Sequence, residues 1–220
     1  MRIRIWVPLT CFGILVGGVV ASAPVPLRRA ESVTVEGLAA GVRVGGGEGR
    51  ALVDAAIRAV SEAFPIHSVW TLWESPSRAL ANGRGWSHQY NSVLLAVLRR
   101  LGFEARLVHA ARVRGWGYPW FLASHAWVKV RVDDRWLDAC ASEPTNRAGR
   151  VGFVAVTEEL PFRGRTRWGV PFALAPFVIA TIWRSALGRR PVPNWVYGRR
   201  MLRPNVANFF ETVDRPEPQV

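Results

Sequence analysis

The strongest constraint on the fold is the stretch 82–106, in which a glycine-broken loop runs directly into an apolar helical pattern. Gly83 and Gly85 interrupt the loop, and Ser87 opens the segment that follows. Large aliphatic side chains then recur at helical offsets, on one face of a helix with 3.6 residues per turn: Val93, Leu94, Val97, Leu98 and Leu101. Gly102 supplies a left-handed stop. The pattern therefore predicts a buried helix that begins at Ser87.

A helix start placed after such a loop is suited to chemistry. Its first backbone N–H groups have no partner within the helix, and the positive end of the helix dipole lies there, so an anionic group or an attacking nucleophile is favoured. Ser87 is the candidate nucleophile at this position. The alternative is that Ser87 is an ordinary helix N-cap, worth about 1 kcal/mol.

A β-hairpin is predicted from residue 125 to residue 140. Alternating apolar side chains follow His125, the pair Asp133-Asp134 turns the chain, and a second strand returns to Cys140. We expect this pairing to bring His125 and Asp138 close together at one end of the hairpin. Covalent acyl transfer needs a nucleophile, a base and a group that orients the base, and these residues would supply the last two. Alternatively, His125 is a core histidine and Asp138 caps a turn.

Three segments together resemble the transglutaminase-like superfamily, the papain-like group that also contains the arylamine N-acetyltransferases. Leu101 to Arg106 is similar to the family's strand entry after the core helix, Ser124 to Val130 to its His-Ala-Trp-Val strand, and Trp136 to Asp138 to its Trp-x-x-Asp strand. The likeness covers roughly residues 70 to 145. It implies a triad of Ser87, His125 and Asp138, with Ser in place of the family's nucleophilic Cys.

The resemblance also implies roles for residues around the triad. Backbone N–H groups near Trp86 and Ser87 would hold an oxyanion. A Glu and an Asn follow the nucleophile at the offsets of Gln89 and Asn91 in the acetyltransferase branch, although either residue could instead bind the preceding loop.

Three aromatic residues lie in a Gly- and Pro-rich loop just before His125, namely Trp116, Tyr118 and Trp120. Loops of this kind carry binding function more often than core elements do. The loop therefore either lines a substrate groove or caps the core.

These residues predict acyl transfer or hydrolysis at peptide amide, ester or thioester carbonyls, with a peptide or small acyl substrate. Activity would be weak, because a serine hydroxyl does not ionise beside an imidazole as a thiol does. The alternatives are a catalytically inactive transglutaminase-like binding protein and an arylamine N-acetyltransferase-like acyltransferase. A relocated nucleophile at Cys140, on the same side of the strand as Asp138, is a further alternative. We expect no cofactor and no metal, since no acidic cluster offers hard-cation ligands.

The fold class expected is α+β, a papain- and transglutaminase-like core with the central helix packed on an antiparallel sheet over residues 24–160. Before the central helix, the alternation of valines within 32–44 predicts short strands or an extended lead-in. The segment 50–64 carries Leu52, Ala56 and Val60 at helical spacing and predicts an amphipathic helix that ends at Pro65.

Both ends of the chain are apolar. Residues 1–23 have the basic start, apolar centre and small-residue end of a secretory signal peptide or a membrane anchor, or they form a strand within the fold. We therefore expect an exported or membrane-anchored protein, with a cytoplasmic location as the alternative.

In the extension 161–220, an uncharged, aromatic-rich run from Gly169 to Trp183 is flanked by arginines and interrupted by Pro171 and Pro176. It is shorter than the roughly twenty residues of a spanning helix. We expect it to pack on the domain or on a membrane surface.

The net charge of +13 is carried almost wholly by arginine. A basic balance can indicate nucleic acid or an anionic membrane as a partner, and it can also reflect a high-arginine codon habit. The arginines are scattered rather than clustered among stacking aromatics, so no nucleic-acid partner is expected.

Overall fold

The architecture comes from a computed structural model, which describes residues 3–23, 33–115 and 118–200, without the side chains of 3–9, 118–122, 165, 167, 199 and 200. The helices are α1 (Ile3–Ala21), α2 (Val35–Val44), α3 (Gly49–Ala63), α4 (Pro76–Asn82), α5 (Ser87–Arg100), α6 (Gly164–Leu187) and α7 (Asn194–Tyr197). The strands are β1 (Ile66–His67), β2 (Arg84–Gly85), β3 (Ala105–Gly115), β4 (Tyr118–Val132), β5 (Arg135–Ala139), β6 (Phe153–Ala155), β7 (Leu160–Pro161) and β8 (Arg199–Arg200).

The central helix α5 begins at Ser87, as the sequence predicts. Its apolar face, including Val93, Leu94 and Leu98, is at most 1% exposed and belongs to the main core. The residue after its cap, Gly102, has a φ of 97°, the left-handed conformation that glycine adopts without strain. The helix packs on an antiparallel sheet ordered β5-β4-β3-β6, with β7 also paired to β3. The predicted α+β class is therefore confirmed.

The hairpin of β4 and β5 turns at Asp133 and Asp134, whose φ angles are 48° and 60°. Two consecutive left-handed residues make the kind of two-residue turn that matches the twist of antiparallel strands. The turn fixes the register, so that Val132 pairs with Arg135 and Lys129 pairs with Asp138. This register decides which side chains can meet across the hairpin.

Two helices cover the other side of α5. The segment 35–44 is helix α2, not strands, because Thr34 caps it by accepting a hydrogen bond from the Gly37 N–H at 3.0 Å. That cap outweighs the valine alternation, and the prediction of short strands here is wrong. Helix α3 confirms the amphipathic helix expected before Pro65, with Ala56, Ile57 and Val60 fully buried.

The two apolar ends of the chain meet in a second cluster, in which Val19 of α1 is buried with Val178 and Ile182 of α6. The indole N–H of Trp183 donates to the carbonyl of Leu15 at 3.1 Å. A Cβ added at Gly18 would lie 3.1 Å from the Trp183 ring, so the small residue permits the close approach of the helices. The first and last parts of the described chain are thus joined.

Helix α6 runs unbroken for 24 residues through Pro171 and Pro176. Each of these prolines removes one N–H from the helical ladder, but the fixed φ of proline is itself helical, so the helix continues through both. Within the residues that the structure describes, Trp168–Leu187 is the single helical stretch long and apolar enough to cross a bilayer.

Candidate active site

The structure brings Ser87 and His125 to one small cavity. Ser87 lies in the first turn of α5 and His125 on β4, and both side chains are buried. The cavity has a volume of about 30 Å³, and Phe162 together with Thr166 and Val170 of α6 lines it as well. A space of this size holds about one water molecule. The predicted nucleophile and base therefore share a site that is closed to a larger ligand in this conformation.

Cys140 is the orienting partner of His125. The Nε2 atom of His125 lies 3.2 Å from the Sγ atom of Cys140, which is fully buried just beyond the end of β5. The thiol contacts the Ser142 hydroxyl at 3.2 Å, and the Asn91 amide donates to Sγ at 3.4 Å. The ring of His125 also meets the edge of Phe153 at a centroid distance of 4.7 Å. The imidazole is held by sulfur and by an aromatic ring.

Asp138 lies elsewhere, and the expectation that it orients His125 is corrected. Its Oδ1 atom accepts a hydrogen bond from the indole N–H of Trp127 at 2.7 Å and forms an ion pair with Lys129 at 3.0 Å. The register places Asp138 opposite Lys129, four residues along β4 from His125. Four residues of strand extend about 13 Å. Cys140, two residues further on and on the same face, occupies the position expected for Asp138.

Burial makes the site electrically neutral. Desolvation, and secondarily the charge of His67, lowers the pKa of His125 to about 3. Desolvation raises the pKa of the Cys140 thiol to about 11, against hydrogen bonds from Ser142 and Asn91 that favour the thiolate. Desolvation also lowers the pKa of His67 to about 4. At pH 7 the imidazole is uncharged and the thiol keeps its proton.

The start of α5 is capped by a residue other than Ser87. Trp86 is the N-cap, so the alternative of Ser87 as N-cap is wrong. The N–H of Trp86 donates to Gln89 Oε1 at 2.8 Å, which occupies that group and removes it as an oxyanion donor. The N–H of Ser87 itself lies in the first turn, where helical amides have no acceptor within the helix. Gly85 passes close to Phe64, since a Cβ there would lie 3.0 Å from that ring.

Gln89 and Asn91 both tie backbone segments to α5. The Gln89 amide donates to the carbonyls of Thr71 at 2.6 Å and Glu74 at 3.0 Å, and so binds the preceding loop. Asn91 donates to the Ala126 carbonyl at 2.6 Å and accepts from the Ala141 N–H at 3.0 Å. Both side chains are fully buried. Their contacts are those of positioning residues.

The aromatic loop is only partly covered by the structure. Trp116 lies outside the described residues. Tyr118 and Trp120 belong to β4 by their backbone, and their side chains lie outside what is described. Their role in lining a groove stays a prediction.

Two histidines outside the predicted triad, His88 and His109, line the same cavity, and sequence reasoning missed His109. His88 is buried and stacks parallel to Phe162 at 6.1 Å between ring centroids. The sequence feature that could have placed His88 in the cavity is its position directly after Ser87 at a helix start. Across 3–23, 33–115 and 118–200, the structure gathers no group of three or more His, Cys, Asp or Glu side chains in an arrangement for a metal ion.

A helix start and a buried imidazole meeting beside a hairpin define the papain-like class of α+β proteins. Residues 38–140 match the family model of the transglutaminase-like superfamily, and the chain therefore carries a transglutaminase-like domain. A solved structure described as a TGase matches 49% of this chain and 30% of its own chain, with 13% sequence identity and a TM-score of 0.40. Thus this chain spans less than a third of that protein's length. No curated protein matches the sequence.

Proposed function

We propose that Ser87, His125 and Cys140 form a neutral version of an acyl-transfer site, which binds a peptide or small acyl group at its carbonyl and does not turn it over at a useful rate. The single observation behind this proposal is the 3.2 Å contact between His125 Nε2 and the thiol of Cys140, in a site where both groups are uncharged. A covalent mechanism of this kind needs the opposite, a charge that stabilises the imidazolium as it forms.

The loss of catalytic rate that follows from the missing carboxylate charge favours binding over catalysis. Replacing the orienting carboxylate of a serine protease by an amide lowers kcat by about 10⁴-fold. A thiol with a raised pKa supplies no more charge than that amide. A base whose pKa is about 3 is also far from the value near the working pH that general-base catalysis favours. Both effects weaken proton removal from Ser87.

Acyl transfer by Ser87 is the second candidate, and the shared cavity of Ser87 and His125 favours it. In this mechanism the Ser87 oxygen attacks the carbonyl carbon, while His125 takes the hydroxyl proton and returns it to the leaving group. The Ser87 N–H would stabilise the oxyanion. Gln89 contacts backbone groups, and Asn91 contacts backbone groups and the Cys140 thiol, so they lend no support to an arylamine N-acetyltransferase-like activity.

A fluorophosphonate probe and a pair of double variants test the proposal. The wild-type protein should remain unlabelled, and Ser87→Cys combined with Cys140→Asp should gain thiol reactivity near neutral pH. Ser87→Cys combined with Cys140→Asn is the matched control, because it restores sulfur without the carboxylate charge. Labelling of the wild type that disappears in Ser87→Ala would contradict the neutral site and favour the second candidate.

Binding is measured separately, by NMR titration with acetylated tripeptides. Saturable shifts of the amide signals of Ser87 and Ala126 are expected. Their absence across the peptide series would remove peptides as ligands.

We also propose that the protein is exported or membrane-anchored and that a membrane surface is among its partners. The apolar character of α1, which is exposed over most of 10–23 apart from Val19, supports this location. The length and composition of Trp168–Leu187 support it as well. Fractionation of cells that express the full chain tests it, and recovery in the soluble cytoplasmic fraction would contradict it.

A further inference from the structure

We propose that the exposed apolar side chains of α1 and α6 form one docking face for an anionic lipid bilayer, on which α6 lies along the surface instead of crossing it. The docking face consists of large apolar side chains that are between one half and four fifths exposed: Phe12, Ile14, Val20, Trp168, Phe172, Phe177 and Leu187. Large apolar side chains exposed on two helices that pack together are typical of a membrane or protein interaction site.

The helical geometry of α6 separates its outer side from its inner side. At about 100° per residue, Phe172, Phe177 and Leu187 fall on the half of the helix opposite Val178 and Ile182. The inner residues are buried in the second cluster with Val19 of α1. The outer residues contact solvent, so the apolar side that remains unpartnered is the one that faces away from the domain.

Charge identifies a bilayer as the occupant of the docking face. Exposed arginines stand at both ends of α6, with Arg163 before its first residue and Arg184, Arg189 and Arg190 at its end. Basic residues beside an apolar helix attract anionic headgroups near the membrane surface. Trp168, near the start of α6, is half exposed, and tryptophan favours the level of the headgroups.

Both ends of α6 are fastened to the same domain, which excludes a crossing. At the N-terminal end, Thr166 and Val170 line the cavity of Ser87 and His125. At the other end, the carbonyl of Val196 accepts a hydrogen bond from the Trp70 N–H at 3.1 Å, and Val196 is fully buried.

The connection after α6 could return through the membrane only if it were fully extended, and it is polar. Only the residues from Leu187 to Val196 are available, and fully extended they reach about 30 Å, the thickness of the hydrocarbon core. A straight return through lipid would also bury Arg189 and Arg190 and leave the backbone without hydrogen-bond partners. A helix lying in the plane of the interface satisfies both anchor points.

This orientation also sets where a ligand enters the site, an inference that rests on the proposed function. Phe162 and the first turns of α6 line the cavity, which has room for about one water molecule, so a larger ligand that approaches Ser87 must pass beside them. Because the same helix carries the docking face, the bound peptide or acyl group is one presented at the membrane, on a lipid or a membrane-anchored protein.

Flotation of the full chain with vesicles tests the docking face. The protein should float with phosphatidylcholine vesicles that contain phosphatidylserine, and more weakly with phosphatidylcholine alone. The double variant Phe172→Ser/Phe177→Ser should lose binding by about tenfold or more, since two exposed phenyl groups are removed from the contact. Val154→Ser/Val156→Ser is the matched control, because these exposed apolar residues lie in and just after β6 and belong to neither α1 nor α6.

Equal loss of flotation in both double variants would overturn the proposal. So would a dimer in solution that Phe172→Ser/Phe177→Ser dissociates while vesicles bind neither form, since a second copy would then be the occupant. The in-plane orientation is tested with Leu187→Cys and Val154→Cys in a Cys11→Ser background. Labelling of both by an impermeant maleimide from the same side is expected, and labelling of Leu187→Cys only from the opposite side would show a span.

A last measurement separates ligand access from docking. Labelling of Ser87→Cys by a small thiol reagent should become several-fold faster when anionic vesicles are added. Flotation without this acceleration would contradict entry from the membrane and leave the docking face intact. Neither result depends on fluorophosphonate reactivity, so a failure of the proposed function is distinguishable from a failure of docking.

Discussion

The hairpin of β4 and β5 carries ionisable side chains both near its turn and at its far end. Those near the turn are charged, whereas those at the far end are neutral. Near the turn, Lys129 forms ion pairs with Asp138 at 3.0 Å and with Glu159 at 2.8 Å. Burial acts to lower the pKa of Lys129, but its bonds to Glu159 and Asp138 outweigh burial and raise that pKa. Far from the turn, His125 and Cys140 meet at 3.2 Å and both are neutral.

Solvent explains the difference. The side chains of Lys129 and Asp138 are 18% and 33% exposed, so water helps to solvate their charges. Cys140 is fully buried and His125 is 6% exposed, so ionisation of either would leave a charge with little solvation. A carboxylate is therefore kept at the end where it stabilises the fold, and the end that faces Ser87 lacks one.

The largest expected effect is a loss of stability in acid, caused by the buried histidines. His67 and His125 remain neutral down to about pH 4 and pH 3 in the folded chain, whereas in the unfolded chain they take up protons near pH 6.5. Below pH 6.5 the unfolded state binds more protons, so the free energy of unfolding should fall with decreasing pH by about 1.4 kcal/mol per unit for each histidine.

Urea unfolding at pH 7 and pH 5 measures this slope. In His67→Asn the slope should decrease by about half. An unchanged slope in that variant would show that the imidazole of His67 is already protonated in the folded state or gains no proton on unfolding.

The next effect is the loss of the Asn91 bridge. Asn91→Ala leaves the buried Ala141 N–H and Ala126 carbonyl without their partner, and should lower the free energy of unfolding by about 3 kcal/mol. Ser92→Ala is the neighbouring control, because it removes a hydroxyl bonded to the carbonyl of His88 within the same helix. Denaturant midpoints that agree for the two variants would contradict a special role for Asn91.

A charge placed beside His125 should reverse its electrostatics. Cys140→Asp supplies a carboxylate next to Nε2 and should raise the pKa of His125 by more than one unit, because an opposite charge favours the protonated imidazole. Titration of the imidazole C–H signals by NMR measures the change, and Cys140→Asn controls for the shape of the side chain. An unaltered pKa in the Asp variant would mean that residue 140 does not orient His125.

The smallest effect is expected at the charged end. Asp138→Asn keeps an acceptor for the Trp127 indole and removes only a partly exposed ion pair, so the change in the free energy of unfolding should stay within about 1 kcal/mol. The NMR titration of His125 should be unaltered in this variant. A shift as large as that of Cys140→Asp would return Asp138 to the site and remove the contrast between the two ends.

Much of the site was predictable because local patterns specify local structure. The spacing of Val93, Leu94 and Leu98 located the helix, and the glycine-broken loop located its start at Ser87. The sequence could also have shown that Asp138 is not the partner of His125. A two-residue turn at Asp133 and Asp134 pairs residues symmetrically about itself, and counting outward puts Asp138 opposite Lys129.

Other features depend on contacts that no local pattern carries. The cap at Thr34 outweighed a valine alternation and made 35–44 a helix. Helix α6 continues across two prolines and packs against α1, which comes from the opposite end of the sequence. The closure of the cavity by Thr166 and Val170 is a tertiary contact of the same kind.

The contact of Gly18 and Leu15 with Trp183 gives the segment between α1 and α2 a particular importance. A peptidase cut anywhere in 24–32 would sever α1 from the domain covalently while the two helices still hold each other. If α1 then dissociated, solvent would reach Val178, Ile182 and the Trp183 ring. Cleavage there, followed by loss of α1, would expose the apolar inner side of α6, so the released domain would be prone to self-association.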